Sequence, residues 1–237
     1  FSILHSQFSI ALQEAPMLKA VLFDLDGTLC DTLPLCIEAF RQSIAPLAGR
    51  PISDAEIVAT FGPSEEGTIR ALIPEHYDRG VRDYLACYEA LHARYPAPFD
   101  GIRPLLADLK RRGLLLALVT GKGRQSCRIS LRRLGLENVF DMVETGSPTG
   151  VRKTEGMLAV LARFALRPDE AVYVGDTAHD VLSARRAGIP ALSALWSSLL
   201  QEADVLAAKP DRAFYSVAAL RAYLLSAPAS AAAGRSV

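Results

Sequence analysis

The chain has 237 residues, half of them hydrophobic and 22% charged, the proportions of a folded globular protein and not of a disordered one. Lysine plus arginine and aspartate plus glutamate stand at 26 each, a formal charge of zero, so the basic surplus of a nucleic-acid binder is missing. No apolar run is long enough to span a bilayer, and Cys30, Cys36, Cys87 and Cys127 form neither a CxxC pair nor a metal-ligand pattern with histidines. The expectation is a reduced cytoplasmic protein with no nucleic-acid or membrane partner.

Residues 1–16, "FSILHSQFSIALQEAP", carry neither an initiator methionine nor the basic stretch of a signal peptide. Met17 is therefore expected as the natural start, with 1–16 outside the core. "AVLFD" (20–24) is a continuous apolar run, as in a strand buried on both faces of a parallel sheet. It ends on Asp24, and Asp26, Gly27 and Thr28 follow at once.

Residues 33–98 then hold helical patterns and no convincing strand. "SDAE" (53–56) reads as a capping box, in which Ser53 and Glu56 satisfy each other's backbone N–H groups. "SEEGTIRALI" (64–73) forms the next helix, and 74–95 form a long helical stretch with Gly80 as its weak point. The proline-rich "YPAPFDGIRP" (95–104) links back to the sheet.

Beyond it, strands are expected at 114–120, 141–145, 171–176 and 190–195, separated by amphipathic helices that stop at Gly113, Gly135 and Gly188. Alternating strand and helix implies an α/β fold, a doubly wound parallel sheet of Rossmann-like type. The core is assigned to 17–32 and 99–226, an inserted all-helical cap to 33–98, and a loose small-residue tail to 227–237.

Ligands of such sheets bind beyond the carboxyl ends of the strands. Those ends carry Asp24 and Asp26, then Thr120-Gly121-Lys122, then Gly175-Asp176 with Asp180 four residues on, while Lys153 opens a helix. So many carboxylates in one crevice require a cation. All-oxygen donors point to a hard ion, best Mg²⁺.

"DLDGT" (24–28), Thr120, Lys153 and "GDTAHD" (175–180), in this order on these strands, resemble the four motifs of the haloacid dehalogenase superfamily, specifically its capped phosphatases. The text "DTAHDVLSARRAGIP" looks most like phosphoglycolate-phosphatase-type members. The resemblance implies Asp24 as nucleophile and Asp26 as general acid and base. It implies Thr28, Thr120, Gly121 and Lys153 around the phosphate. Mg²⁺ would be held by Asp24, the backbone carbonyl of Asp26, and Asp176, with Asp180 supporting from behind or acting only as a first-turn helix residue. The family usually has proline beside the lysine where this chain has Thr154, so Arg152 or Lys122 is an alternative source of that charge.

In related proteins the cap loop faces the site, so Glu65, Glu66 and Arg70 are candidate readers of the leaving group. Their bland alternative is a capped helix start. His179 is read as an exposed bystander. The expected activity is Mg²⁺-dependent hydrolysis of a small phosphorylated metabolite, phosphoglycolate favoured by resemblance, in a monomer or homodimer. A β-phosphoglucomutase-like phosphotransferase and a non-catalytic phospho-receiver compete. Asp26 counts against a dehalogenase.

Overall fold

The computed structural model describes residues 17–226. The expected extension at 1–16 and the tail at 227–237 lie outside the described residues. Six parallel strands form one sheet in the order β3-β2-β1-β4-β5-β6, comprising β1 (Ala20–Phe23), β2 (Leu115–Val119), β3 (Met142–Glu144), β4 (Ala171–Gly175), β5 (Ala191–Ala194) and β6 (Arg212–Phe214). This is the doubly wound order, with β1 in the middle between β2 and β4.

The side-chain period of two divides β1 between two cores. Val21 and Phe23 pack with Leu116, Leu118 and Val174 under α5 (Ile102–Arg111) and α10 (Val217–Ser226). Ala20 and Leu22 face the other way with Ala117, Val119 and Tyr173, under α7 (Lys153–Arg163) and α8 (Ala178–Ala187). Burial on both faces is why these strands read as unbroken apolar runs. β6 escaped the sequence reading because it is a three-residue edge strand beginning on an exposed arginine. Gly113, Gly135 and Gly188, at the expected helix stops, all have positive φ.

The cap has its own core. Leu35, Phe40 and Ile44 of α1 (Leu33–Ala48) pack with Ile57 of α2 (Asp54–Val58), Ile69 of α3 (Glu65–Leu72), and Tyr84 and Tyr88 of α4 (Tyr77–Leu91). Ser53 and Glu56 make the reciprocal capping bonds. Helix α4 runs unbroken through Gly80. This glycine lies buried inside the helix, where a Cβ would come within 2.7 Å of Ile73 and 2.8 Å of Ile69, so its bareness lets α4 approach the α3 end of the cap. Ile129 of α6 (Arg124–Arg133) joins the same cluster and seats the cap on the sheet domain. No helix among the described residues is long and apolar enough to cross a membrane.

Candidate active site

The carboxyl ends of β1, β2 and β4 open into a cavity of about 290 Å³ roofed by the cap. Asp24 leaves β1 with its N–H donated to Val174 O at 2.9 Å. Its Oδ2 accepts from Lys153 Nζ at 2.8 Å, while Oδ1 is buried with no partner. Burial pushes this carboxyl up to about 6, against the pull of Lys153.

The chain then turns sharply, Gly27 N–H bonding Cys30 O at 2.8 Å. Gly27 has a φ of 79°, and a Cβ there would run into the Asp176 carboxylate. Glycine is thus required twice, for the turn and for the close approach. Trp196 Nε1 clamps the same loop from outside, donating to Thr28 O at 3.1 Å.

Asp26 and Asp24 have different surroundings. Asp26 Oδ1 accepts a short hydrogen bond from the Thr32 hydroxyl, and Oδ2 lies 3.2 Å from Lys122 Nζ. Its carboxylate therefore faces the cap side. Thr28 Oγ1 donates to Asp176 Oδ1 at 3.4 Å, and Ser197 Oγ donates to Asp176 Oδ2 at 3.3 Å. Thr120 is buried at the end of β2, and its hydroxyl accepts from Lys122 N–H at 3.2 Å. Gly121 follows it in the cavity lining.

Lys153 bridges Asp24 and Asp180, at 2.8 and 2.5 Å. Burial alone would lower its pKa, and the two carboxylates raise it well beyond the ordinary value. Arg152 and Lys122, the alternative cations, stand elsewhere. Arg152 is exposed at the rim, and Lys122 bonds Asp26 and Glu65. Asp180 also accepts from Tyr173 OH at 2.8 Å and from the Thr177 N–H and hydroxyl at 3.1 and 2.5 Å. Burial opposes its ionisation, but Lys153 and these donors hold its pKa below the usual carboxylate value.

The carboxylates that converge are Asp24, Asp176 and Asp180, with ligand oxygens within 4.8 Å of one another. Asp26 joins the cavity but not that trio. Burial, reinforced by Asp180 and Asp24, pushes Asp176 well above its ordinary pKa. Three buried acids with one compensating ammonium, plus an orphaned Asp24 oxygen, fit a divalent cation, and the all-oxygen donors suit a hard one.

Of the cap candidates, Glu65 lines the cavity and reaches across to the sheet domain, accepting from Gly123 N–H at 2.5 Å and Ser126 Oγ at 2.6 Å. Glu66 accepts from Ser64 Oγ at 2.5 Å, and Arg70 lies 4.5 Å over the Tyr77 ring; neither lines the cavity. His179 does, exposed at its edge. Sequence reading missed Thr32, Ser126 and Tyr173. Tyr173 alone left a signal, since a tyrosine in a fully buried strand needs a partner for its hydroxyl.

A Rossmann-like sheet with aspartates at the ends of β1 and β4, Asp24 and Asp180 bridged by Lys153, and helices roofing the cavity is the architecture of a phosphate-handling enzyme class. The chain belongs to the haloacid dehalogenase-like hydrolase family, whose model matches residues 21–194. It is 35% identical to the tyrosine-protein kinase PtkA of Mycobacterium tuberculosis, over 77% of this chain and 63% of that protein. This chain therefore spans less than two thirds of that relative's length. It is 30% identical to the phosphoglycolate phosphatase of Xylella fastidiosa, over 81% and 90% of the two chains. Among solved structures, it matches the haloacid dehalogenase-like family protein SP0104 from Streptococcus pneumoniae with a TM-score of 0.72 and 28% identity, over 87% and 98%.

Proposed function

We propose that this chain is a Mg²⁺-dependent phosphomonoesterase that acts on a small organic phosphate through an aspartyl-phosphate on Asp24. The observation that carries this reading is the unequal pair at the end of β1. Asp24 keeps one unpartnered oxygen, while Asp26, two residues on, is hydrogen-bonded by Thr32 on the side of the lid.

Asp24 attacks phosphorus in line, forming an O–P bond as the ester O–P bond breaks. Asp26 gives its proton to the departing alkoxide, and then takes one from the water that attacks the acyl phosphate. That second displacement breaks the Asp24–phosphorus bond and releases inorganic phosphate. Thr120 hydrogen-bonds the transferring oxygens, and Lys153 holds the nucleophile's orientation while balancing negative charge. Asp24, Asp176 and the Asp26 carbonyl would hold the ion, with Asp180 fixing Lys153. When bound, the ion screens the nucleophile from the anionic substrate and polarises a phosphate oxygen.

A panel of small phosphate esters, assayed with Mg²⁺ and after chelation, tests this. Asp24→Asn should cost roughly 10⁴–10⁶-fold in kcat. Asp26→Asn should cost about 10²–10⁴-fold with alkyl esters and much less with nitrophenyl phosphate, whose leaving group needs no proton. Hydrolysis that survives Asp24→Asn refutes the reading. The relative named a tyrosine-protein kinase favours a second reading, in which a hydroxyl other than water accepts the phosphoryl group. Labelled phosphate appearing on an added acceptor would support it.

A further inference from the structure

The leaving group must lie beside Asp26, the group that protonates it, and Asp26 faces the cap. The cavity there is walled by Leu33, Cys36, Phe40, Phe61 and Pro63. The polar groups in that wall are already engaged with one another. Lys122, its side chain 1% exposed, is enclosed by Asp26 at 3.2 Å, Glu65 at 3.2 Å, Cys36 Sγ at 3.2 Å and the Tyr88 ring at 4.6 Å. Glu65 opens α3, is anchored through Ser64 N–H on Ser147 O at 2.9 Å, and accepts from three donors of the sheet domain.

A second anion on the leaving group would therefore meet the Glu65 carboxylate and a lysine already neutralised by it. Resting on the phosphatase reading above, we infer that Glu65 is a specificity-determining residue: it occupies Lys122 and so selects esters of small, uncharged, largely apolar alcohols against short leaving groups bearing a carboxylate or second phosphate. Rejection of this kind works by leaving a charge unpaired in a desolvated site. Phosphoglycolate, favoured by resemblance, falls in the rejected class. Of the other cations of the lining, Lys153 is held by Asp24 and Asp180, and Arg152 is exposed at the rim.

The matched probes are isobutyl phosphate and 2-phosphoglycolate, in which two methyls and two carboxylate oxygens occupy equivalent positions. Wild-type kcat/KM should favour isobutyl phosphate by at least about tenfold. Glu65→Gln should raise 2-phosphoglycolate selectively and narrow that ratio, with folding checked by circular dichroism and thermal melting. A wild-type preference for 2-phosphoglycolate overturns the inference, decisively so if Arg152→Gln abolishes it. Equal effects of Glu65→Gln on both esters overturn it too. If neither ester is hydrolysed, the phosphatase reading fails separately. Calorimetric titration of the two esters then still decides selectivity, with tighter isobutyl phosphate supporting the inference and tighter 2-phosphoglycolate refuting it.

Discussion

Asp24 and Asp26 sit two residues apart, yet burial and partners make them different acids. Asp24 is desolvated at the end of a strand, and its carboxyl rises to about 6 against an ordinary 3.8. A carboxylate whose folded pKa is raised holds its proton more tightly folded than unfolded. Its stabilising contribution is complete below the unfolded value and is lost as pH climbs through about 6. Asp176 shifts in the same direction. A cation binds only the ionised forms, so its grip strengthens as those protons leave. The rise in melting temperature on adding Mg²⁺ should be larger above about pH 7 than below about pH 5. An equal rise at both would separate the ion from these acids. At this scale, sequence alone revealed Asp24, Asp26, Thr120, Lys153 and Asp176 as strand-end and helix-start residues. It could not reveal that Lys122 serves Asp26 and Glu65 rather than the nucleophile, because that pairing joins residues far apart in the chain and is set by how the cap docks.

Among the elements, β4 holds Lys153 in place indirectly. Tyr173 OH donates to Asp180 at 2.8 Å and lies 3.0 Å from Val119 O, tying β4 to β2 behind the acid that anchors Lys153. Tyr173→Phe leaves a buried carboxylate with one donor fewer. It should cost about 1–3 kcal/mol in urea denaturation while lowering kcat more than it raises KM. Unchanged stability would mean that Asp180 is satisfied without it. The central strands β1, β2, β4 and β5 were legible because burial on both faces makes them largely apolar. β6 was not, being a three-residue edge strand that begins on an exposed arginine and carries no apolar run. The helix stops were legible for a steric reason, since only glycine enters the left-handed region freely. The packing role of Gly80 was not legible, because the residues a Cβ there would meet are set by how α4 lies against α3 and α1.

Across the whole molecule, the helices between β1 and β2 roof the cavity over the strand ends. Cys36 lies on the cavity face of cap helix α1 with its thiol pushed up to about 12 by burial, whereas Cys87 is half-buried on cap helix α4. Iodoacetamide near pH 8 should alkylate Cys87 first, as read by peptide mass spectrometry, and Cys36 only as the cap lifts. Saturating phosphate with Mg²⁺ should slow Cys36 further; equal rates for both thiols would contradict a closed lid. The run of helices between β1 and β2 was legible from where strand patterns stop and resume. The contact of Glu65 with Gly123 and Ser126 was not, because no local pattern records which loop a cap helix faces.

The account rests on a covalent phosphoryl group carried by Asp24. Rapid acid quenching of Asp26→Asn with nitrophenyl phosphate, followed by peptide mass spectrometry, tests it most directly. Release of nitrophenolate needs no acid while the second displacement needs a base, so the intermediate should accumulate. The account predicts one phosphoryl group on the peptide containing Asp24, absent from the Asp24→Asn, Asp26→Asn double variant. A phosphoryl group on any other residue, or turnover by the double variant equal to that of Asp26→Asn, would contradict it.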